Sequence, residues 1–179
     1  MNTPKWIIIH HTGGTDINPK EDTSHHTAKM VDTWHKAKGW SGIGYNWFIE
    51  KNGEPAIGRD EKIDGAHTIG YNSQSIGICL AGNFDVTYPT KEQEITLRKL
   101  ILSKMVQYNI PASNVVPHRK FAKKSCYGNL LSDKWIQDLL KPTKPEIADD
   151  SKECKEYLEK QNTNVLLEFI KFIISLIKK

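Results

Sequence analysis

The feature that most constrains the fold is a short apolar segment near the start of the chain, "WIIIHHT" at residues 6–12. A glycine pair follows it directly, so the segment predicts a buried β-strand that ends there. Because side chains alternate faces along a strand, His10 and His11 should point in opposite directions. At most one of these two histidines can then serve a given site.

A helix is predicted after this strand. Ser24 or Thr23 can cap its start, and Gly39 lies just past its end. The residues expected on its inner face are Val31, Trp34 and His35.

Turn residues and apolar runs define the next two elements. Residues 44–60 contain two alternating runs around Asn52-Gly53, a dipeptide that tolerates positive φ, and this pattern predicts a β-hairpin. The segment "SIGICLAG" at residues 75–82 is apolar on both faces, which predicts a central strand.

The second half of the chain continues the alternation of helices and strands. Thr90 and Gln93 form a capping-box pattern that opens a long helix. A short strand at residues 115–116 then leads to His118, and Asp133 opens a last helix. This order predicts an α/β fold with a central mixed β-sheet flanked by helices.

Three segments are predicted along the chain: a globular domain over residues 1–140, a linker over 141–152 and a C-terminal helical tail over 153–179. The linker is assigned because it is rich in proline and charged residues.

Composition narrows the function. The formal net charge of +4 is mild, with 25 Lys and Arg mixed among 21 Asp and Glu, and does not indicate nucleic-acid binding. Three widely spaced cysteines indicate a reducing compartment and no disulfide framework. The N-terminus lacks the basic and apolar regions of a secretory signal, which predicts synthesis in the cytoplasm.

One loop combines metal-binding and basic side chains. His118 and Cys126 lie eight residues apart, with four basic residues between them. A catalytic zinc site needs three protein ligands and one open position, and His10, at the end of the first strand, is the candidate for the third. Each residue also has a simpler explanation, since cysteines are often small core residues and strand-end histidines often bond the backbone.

Longer motifs give these residues a context. The segments "IIIHHTGG", "WHKAKGWSGIGYNWFI", "GRDEKIDGAHTIGYNSQSIGICLAGNF" and "VVPHRKFAKKSC" together resemble the zinc-dependent N-acetylmuramoyl-L-alanine amidases. Within that family they are most similar to the short phage amidase-type lysozymes, which are relatives of the animal peptidoglycan recognition proteins. The resemblance covers about residues 5–140 and implies a zinc amidase domain that acts on bacterial peptidoglycan.

The resemblance also implies roles for individual residues. The three zinc ligands of the family fall on His10, His118 and Cys126. The catalytic tyrosine falls on Tyr45 and the catalytic lysine on Lys124. Zinc in this family activates a water for cleavage of the amide between N-acetylmuramic acid and L-alanine, and Lys124 would stabilise the oxyanion. Tyr45 would orient or deprotonate the water, or donate a hydrogen bond.

Other residues carry weaker implications and simpler alternatives. His67 is expected to line the substrate groove, or alternatively to make a structural hydrogen bond. Tyr45 could instead be a core aromatic, because Tyr45, Trp47 and Ile49 would share one face of a strand. Lys124 could be a solvated loop lysine. Tyr127 stands where the family usually has proline.

Three functions are consistent with this pattern. The first is a peptidoglycan amidase of the endolysin type, which is made in the cytoplasm and acts on the cell wall after release. The second is a peptidoglycan-binding module without catalysis, which the presence of Tyr45 and of every ligand disfavours. The third is a cytosolic recycling amidase for anhydromuropeptides, a group in which aspartate replaces the cysteine ligand.

The tail suggests a further property. Residues 165–177 are apolar except for a narrow stripe formed by Glu168, Lys171 and Ser175. As a helix this segment would be about 20 Å long, too short for a bilayer core of about 30 Å. Residues 165–179 could therefore lie on an anionic membrane, or alternatively pack on the domain or on a second copy.

We expect the full chain to sediment with anionic lipid vesicles and a version ending at residue 141 to stay in the supernatant, because the tail holds the apolar face and a cationic end. Equal sedimentation of the two proteins would exclude the membrane role.

Overall fold

A computed structural model describes residues 2–141 of the chain. Five strands form one sheet, in the spatial order β3-β2-β4-β1-β5. In chain order they are β1 (Trp6–His11), β2 (Trp47–Ile49), β3 (Pro55–Ile57), β4 (Ser75–Leu80) and β5 (Val115–Pro117). β1 runs parallel to β4 and β5, β2 runs parallel to β4, and β3 is antiparallel to β2. The predicted mixed sheet is thereby confirmed.

Helices cover both faces of the sheet. The helices are α1 (Ala28–Ala37), α2 (Lys91–Tyr108) and α3 (Trp135–Leu140). On one face, Leu97 and Ile101 of α2 and Ile136 of α3 join the larger core cluster. On the other face, Val31 of α1 packs with Phe48 in a smaller cluster. The burial of side chains on both faces explains why β1 and β4 consist mostly of apolar residues.

Several local predictions are confirmed. The hairpin joins β2 to β3, and Gly53 in its turn has a φ of 85°, which a glycine adopts without strain. The strand predicted at residues 75–82 is β4, at the centre of the sheet. The side chain of Thr90 accepts from the backbone of Gln93, and the Gln93 side chain accepts from the backbone of Thr90. This capping box starts α2 as expected.

The start of α1 differs from the prediction. Thr27 caps this helix by accepting a hydrogen bond from the Met30 backbone N–H at 3.3 Å, so neither Ser24 nor Thr23 is the cap. Thr23 is fully buried and donates its hydroxyl to the carbonyl of Gly13 at 2.8 Å. The Thr23 hydroxyl, which the sequence pattern predicted as a helix cap, therefore makes a hydrogen bond to Gly13 instead. Trp34, predicted to face inward, is 40% exposed.

Two further predictions are corrected. Asp133 does not open the last helix, which begins at Trp135, because its carboxylate accepts a hydrogen bond from Arg119 Nε at 2.6 Å. Tyr45 does not share a face with Trp47 and Ile49. It precedes β2 and packs with the smaller core cluster, whereas those two side chains contact the larger one.

The predicted linker beyond Lys141 lies outside the described residues. The same holds for the helical tail predicted at 153–179 and for residues 165–179, which were predicted to bind a membrane. Within residues 2–141, no helix is both long enough and apolar enough to cross a membrane.

Candidate active site

The site is built at the carboxyl ends of two neighbouring parallel strands. Ile9 of β1 is paired with Pro117 of β5, so the residues that follow them, His10 and His118, lie side by side. Their ring centroids are 4.4 Å apart. Both rings are largely buried, with 1% of His10 and 9% of His118 exposed. Parallel pairing therefore joins two histidines that are more than a hundred residues apart in sequence.

Cys126 completes the group from the loop after β5. Its Sγ lies 3.7 Å from Nδ1 of His10 and 4.0 Å from the backbone carbonyl oxygen of His11. Potential ligand atoms of His10, His118 and Cys126 all lie within 4.8 Å of one another. The structure thus brings together all three residues that the sequence nominated as ligands.

Arg119 holds the loop that carries Cys126. Its backbone N–H donates to the carbonyl oxygen of Cys126 at 2.6 Å. Its guanidinium donates to the carbonyl oxygens of Gly128 at 2.8 Å and Leu131 at 2.6 Å, and its charge lies 5.0 Å above the ring centre of Tyr127. Arg119 was not among the residues predicted from the sequence to have a role. Its position directly after His118 in the basic loop was the available signal.

Asp85 holds the same loop from the opposite side. One carboxylate oxygen accepts from the hydroxyl of Ser125 at 2.7 Å, and the other accepts from the backbone N–H of Asn129 at 2.7 Å. Charge-assisted bonds of this kind fix geometry more firmly than neutral ones. The loop that carries Cys126 is thus held by one cation, Arg119, and one anion, Asp85. Asp85 was not predicted from the sequence because no local motif marks it.

Burial determines the protonation states of the three candidate ligands. It lowers the pKa of His10 well below 6.5, and the neighbouring His67 and His118 lower it further. It lowers the pKa of His118 to about 4, with a smaller contribution from the charge of Lys124. It also raises the pKa of the Cys126 thiol to about 12. Both imidazoles are therefore neutral near pH 7 and can offer lone pairs.

The donor set fits one transition-metal ion. Two imidazole nitrogens and one sulfur are a combination that zinc prefers, and ligands of one tetrahedral zinc lie about 3.3–3.8 Å apart. The 3.7 Å between His10 Nδ1 and Cys126 Sγ agrees with that spacing. A cation bound here has to displace the thiol proton, which is the usual course of zinc binding by cysteine.

Tyr45 lies next to His10. Its ring centroid is 5.1 Å from that of His10, and the side chain also packs with the smaller core cluster. Burial raises the pKa of Tyr45 well above 10, and the nearby thiols of Cys79 and Cys126 raise it further. The phenol is therefore protonated in this environment and has a proton to donate.

A groove of about 600 Å³ opens over the group and is lined by all three donors together with Tyr45 and Lys124. The Lys124 side chain is exposed, and its charge lowers the pKa of His10, His118 and Cys126, so it lies within electrostatic reach of all three. A second hollow of about 550 Å³ shares Lys124 and His118 with the first and adds the apolar residues Ile69 and Phe121.

His67 also lines this groove, but its polar atoms are turned inward. Nδ1 of His67 lies 3.1 Å from Nε2 of His10 and 3.0 Å from the hydroxyl of Thr68. Nε2 of His67 is buried and has no hydrogen-bond partner within the described part of the chain. His67 thus lines the groove and also makes internal hydrogen-bond contacts.

The remaining candidate histidines have structural partners. His11 faces away from His10, as predicted, and its Nδ1 accepts from the backbone N–H of Phe84 at 2.9 Å. His35 accepts from the backbone N–H of Gly44 at 3.0 Å, which holds the turn before Tyr45.

Comparison with known proteins identifies the family of this chain. The sequence model of the Amidase_2 family, described as N-acetylmuramoyl-L-alanine amidase, matches residues 1–129. The endolysin of Escherichia phage T7 is 36% identical over 104 residues, which are 55% of this chain and 67% of the endolysin. Peptidoglycan-recognition protein SC2 of Drosophila melanogaster is 32% identical over 129 residues, covering 71% of this chain and 70% of that protein.

Solved structures show the same relationship. N-acetylmuramoyl-L-alanine amidase LysC from Clostridium intestinale superimposes with a TM-score of 0.68 at 32% identity, covering 79% of this chain and 88% of that one. The family follows from the sequence match over residues 1–129, and the His-His-Cys group at the strand ends is consistent with it. The chain belongs to the N-acetylmuramoyl-L-alanine amidase family, the enzymes that cleave the amide bond between N-acetylmuramic acid and L-alanine in peptidoglycan.

Proposed function

We propose that this amidase binds one zinc ion through His10, His118 and Cys126 and uses it to hydrolyse the amide between N-acetylmuramic acid and L-alanine. The observation that carries the proposal is the convergence of the three donors within 4.8 Å along a groove. A zinc ion bound there would supply an activated water nucleophile and Lewis-acid polarisation of the scissile carbonyl.

The protein contributes a rigid set of donors. His10 belongs to a strand with hydrogen-bonded neighbours on both sides, and Cys126 belongs to a loop held by Arg119 and Asp85. Such rigidity favours catalysis because the donors need no rearrangement during the reaction. The groove above them gives an extended substrate access to the same point.

Two side chains are proposed to act on the substrate. Lys124 brings a positive charge to the part of the groove where the scissile carbonyl oxygen acquires negative charge. Tyr45 lines the groove with its ring 5.1 Å from that of His10, and its protonated phenol is proposed to donate a hydrogen bond to a reacting oxygen. His67 lines the same groove and is proposed to form part of the wall that contacts the substrate.

The biological setting is proposed from the relatives. Several phage proteins similar to this chain are named endolysins, including those of Klebsiella phage KP32 and Escherichia phage T7. We infer that the protein is made in the cytoplasm and acts on the bacterial cell wall after release.

Digestion of purified peptidoglycan tests the proposed reaction. Mass analysis of the products should show intact glycan strands and peptides that begin with L-alanine, because the cleaved bond joins these two parts. A chelator should abolish the release, and added zinc should restore it. New reducing sugar ends without new amino termini, or full activity in the chelator, would contradict the proposal.

Replacement of Lys124 tests its charge-stabilising role. Lys124→Ala should keep its zinc but lose turnover by about 10²–10³-fold, the usual effect of removing one group that stabilises an oxyanion. Lys123→Ala is the matched control, because Lys123 is an exposed lysine of the same loop and does not line the groove. Equal turnover in the two variants would assign Lys124 to the solvated surface.

A further inference from the structure

His67 lies directly behind the candidate ligand His10. Nδ1 of His10 faces Cys126, with 3.7 Å between that nitrogen and Sγ. Nε2, the other nitrogen of the same ring, lies 3.1 Å from Nδ1 of His67. The imidazole of His10 is thus held between the candidate metal position on one edge and a second histidine on the other.

The arrangement selects a protonation pattern. A neutral imidazole carries one proton, so if Nδ1 of His10 gives its lone pair to a metal, Nε2 carries the proton and donates it. The acceptor is then Nδ1 of His67, which in turn must carry its own proton on Nε2. The hydroxyl of Thr68 lies 3.0 Å from His67 Nδ1 and 3.5 Å from His10 Nε2, so it is a third polar group within reach of both nitrogens.

Two glycines make room for His67. A Cβ atom at Gly77 of β4 would lie 2.6 Å from Cδ2 of His67, and one at Gly65 would lie 2.5 Å from the same atom. Both distances are far below van der Waals contact, so the ring occupies space that a side chain at either position would fill. The backbone N–H of His67 also donates to Oδ1 of Asn72 at 2.9 Å. The position of the ring is therefore fixed by sterics as well as by bonding.

We propose that His67 is a positioning residue for the metal centre. By accepting the Nε2 proton of His10, it fixes the orientation and tautomer of that ligand and so strengthens metal binding. Hydrogen-bond partners of metal-bound histidines typically contribute about 10–100-fold in affinity. The inference rests on the proposed function, because it requires a metal at His10.

Zinc affinity of the full chain, measured by competition with a chromophoric chelator, tests the proposal without any assay of activity. His67→Ala should raise the zinc dissociation constant by about 10–100-fold. His67→Asn should restore most of the affinity, because its amide oxygen can accept near the position of Nδ1. Ile69→Ala is the control and should bind zinc like the unmodified chain, since this side chain is 95% exposed.

An equal zinc dissociation constant in His67→Ala and the unmodified chain would overturn the positioning role and leave the proposed function intact. Absence of zinc from the unmodified chain would instead overturn the proposed function itself. Nitrogen NMR of the zinc-loaded, unmodified chain provides a test that does not depend on a variant folding. It should show the His67 proton on Nε2, and a proton on Nδ1 would refute the proposal.

Discussion

The parallel pairing of β1 with both β4 and β5 is the constraint on which the site depends. It places His10 and His118 at adjacent strand ends, and it gives β1, which carries His10, a hydrogen-bonded neighbour on each side. Burial also disfavours the ionised forms of side chains at the strand ends. The two imidazoles are consequently neutral, which is the state that binds a metal.

The loop after β5 depends on different forces. It has little regular structure, and its geometry comes from Arg119 on one side and Asp85 on the other. The Arg119 side chain donates to the carbonyl oxygens of Gly128 and Leu131, which follow Cys126. Asp85 accepts from the Ser125 hydroxyl before Cys126 and from the Asn129 N–H after it. A rigid strand and a clamped loop therefore contribute ligands to the same group.

Much of the fold could be predicted because local patterns determine it. The apolar runs of β1 and β4, the turn at Asn52-Gly53 and the capping box at Thr90 each depend on neighbours in sequence. The errors arose where a long-range contact competed with a local one. Thr23 and Asp133 both offer good helix caps, but the first bonds the backbone near β1 and the second bonds Arg119.

In the site, too, some residues could be predicted from the sequence and others could not. The ligand candidates could be chosen from donor chemistry and family resemblance, and the structure brings them together. The residues that hold them, Asp85 and Thr68 among them, come from separate segments and have no periodic pattern. Their contacts become visible only when the chain is folded.

X-ray absorption at the zinc edge, on the full chain loaded with one equivalent of zinc, tests the central claim most directly. The account predicts one sulfur at about 2.3 Å and two imidazole nitrogens at about 2.0 Å. It also predicts that the sulfur signal disappears in Cys126→Ser and persists in Cys79→Ala, since Cys79 is a buried thiol outside the donor group. A zinc environment without sulfur in the unmodified chain would contradict the account.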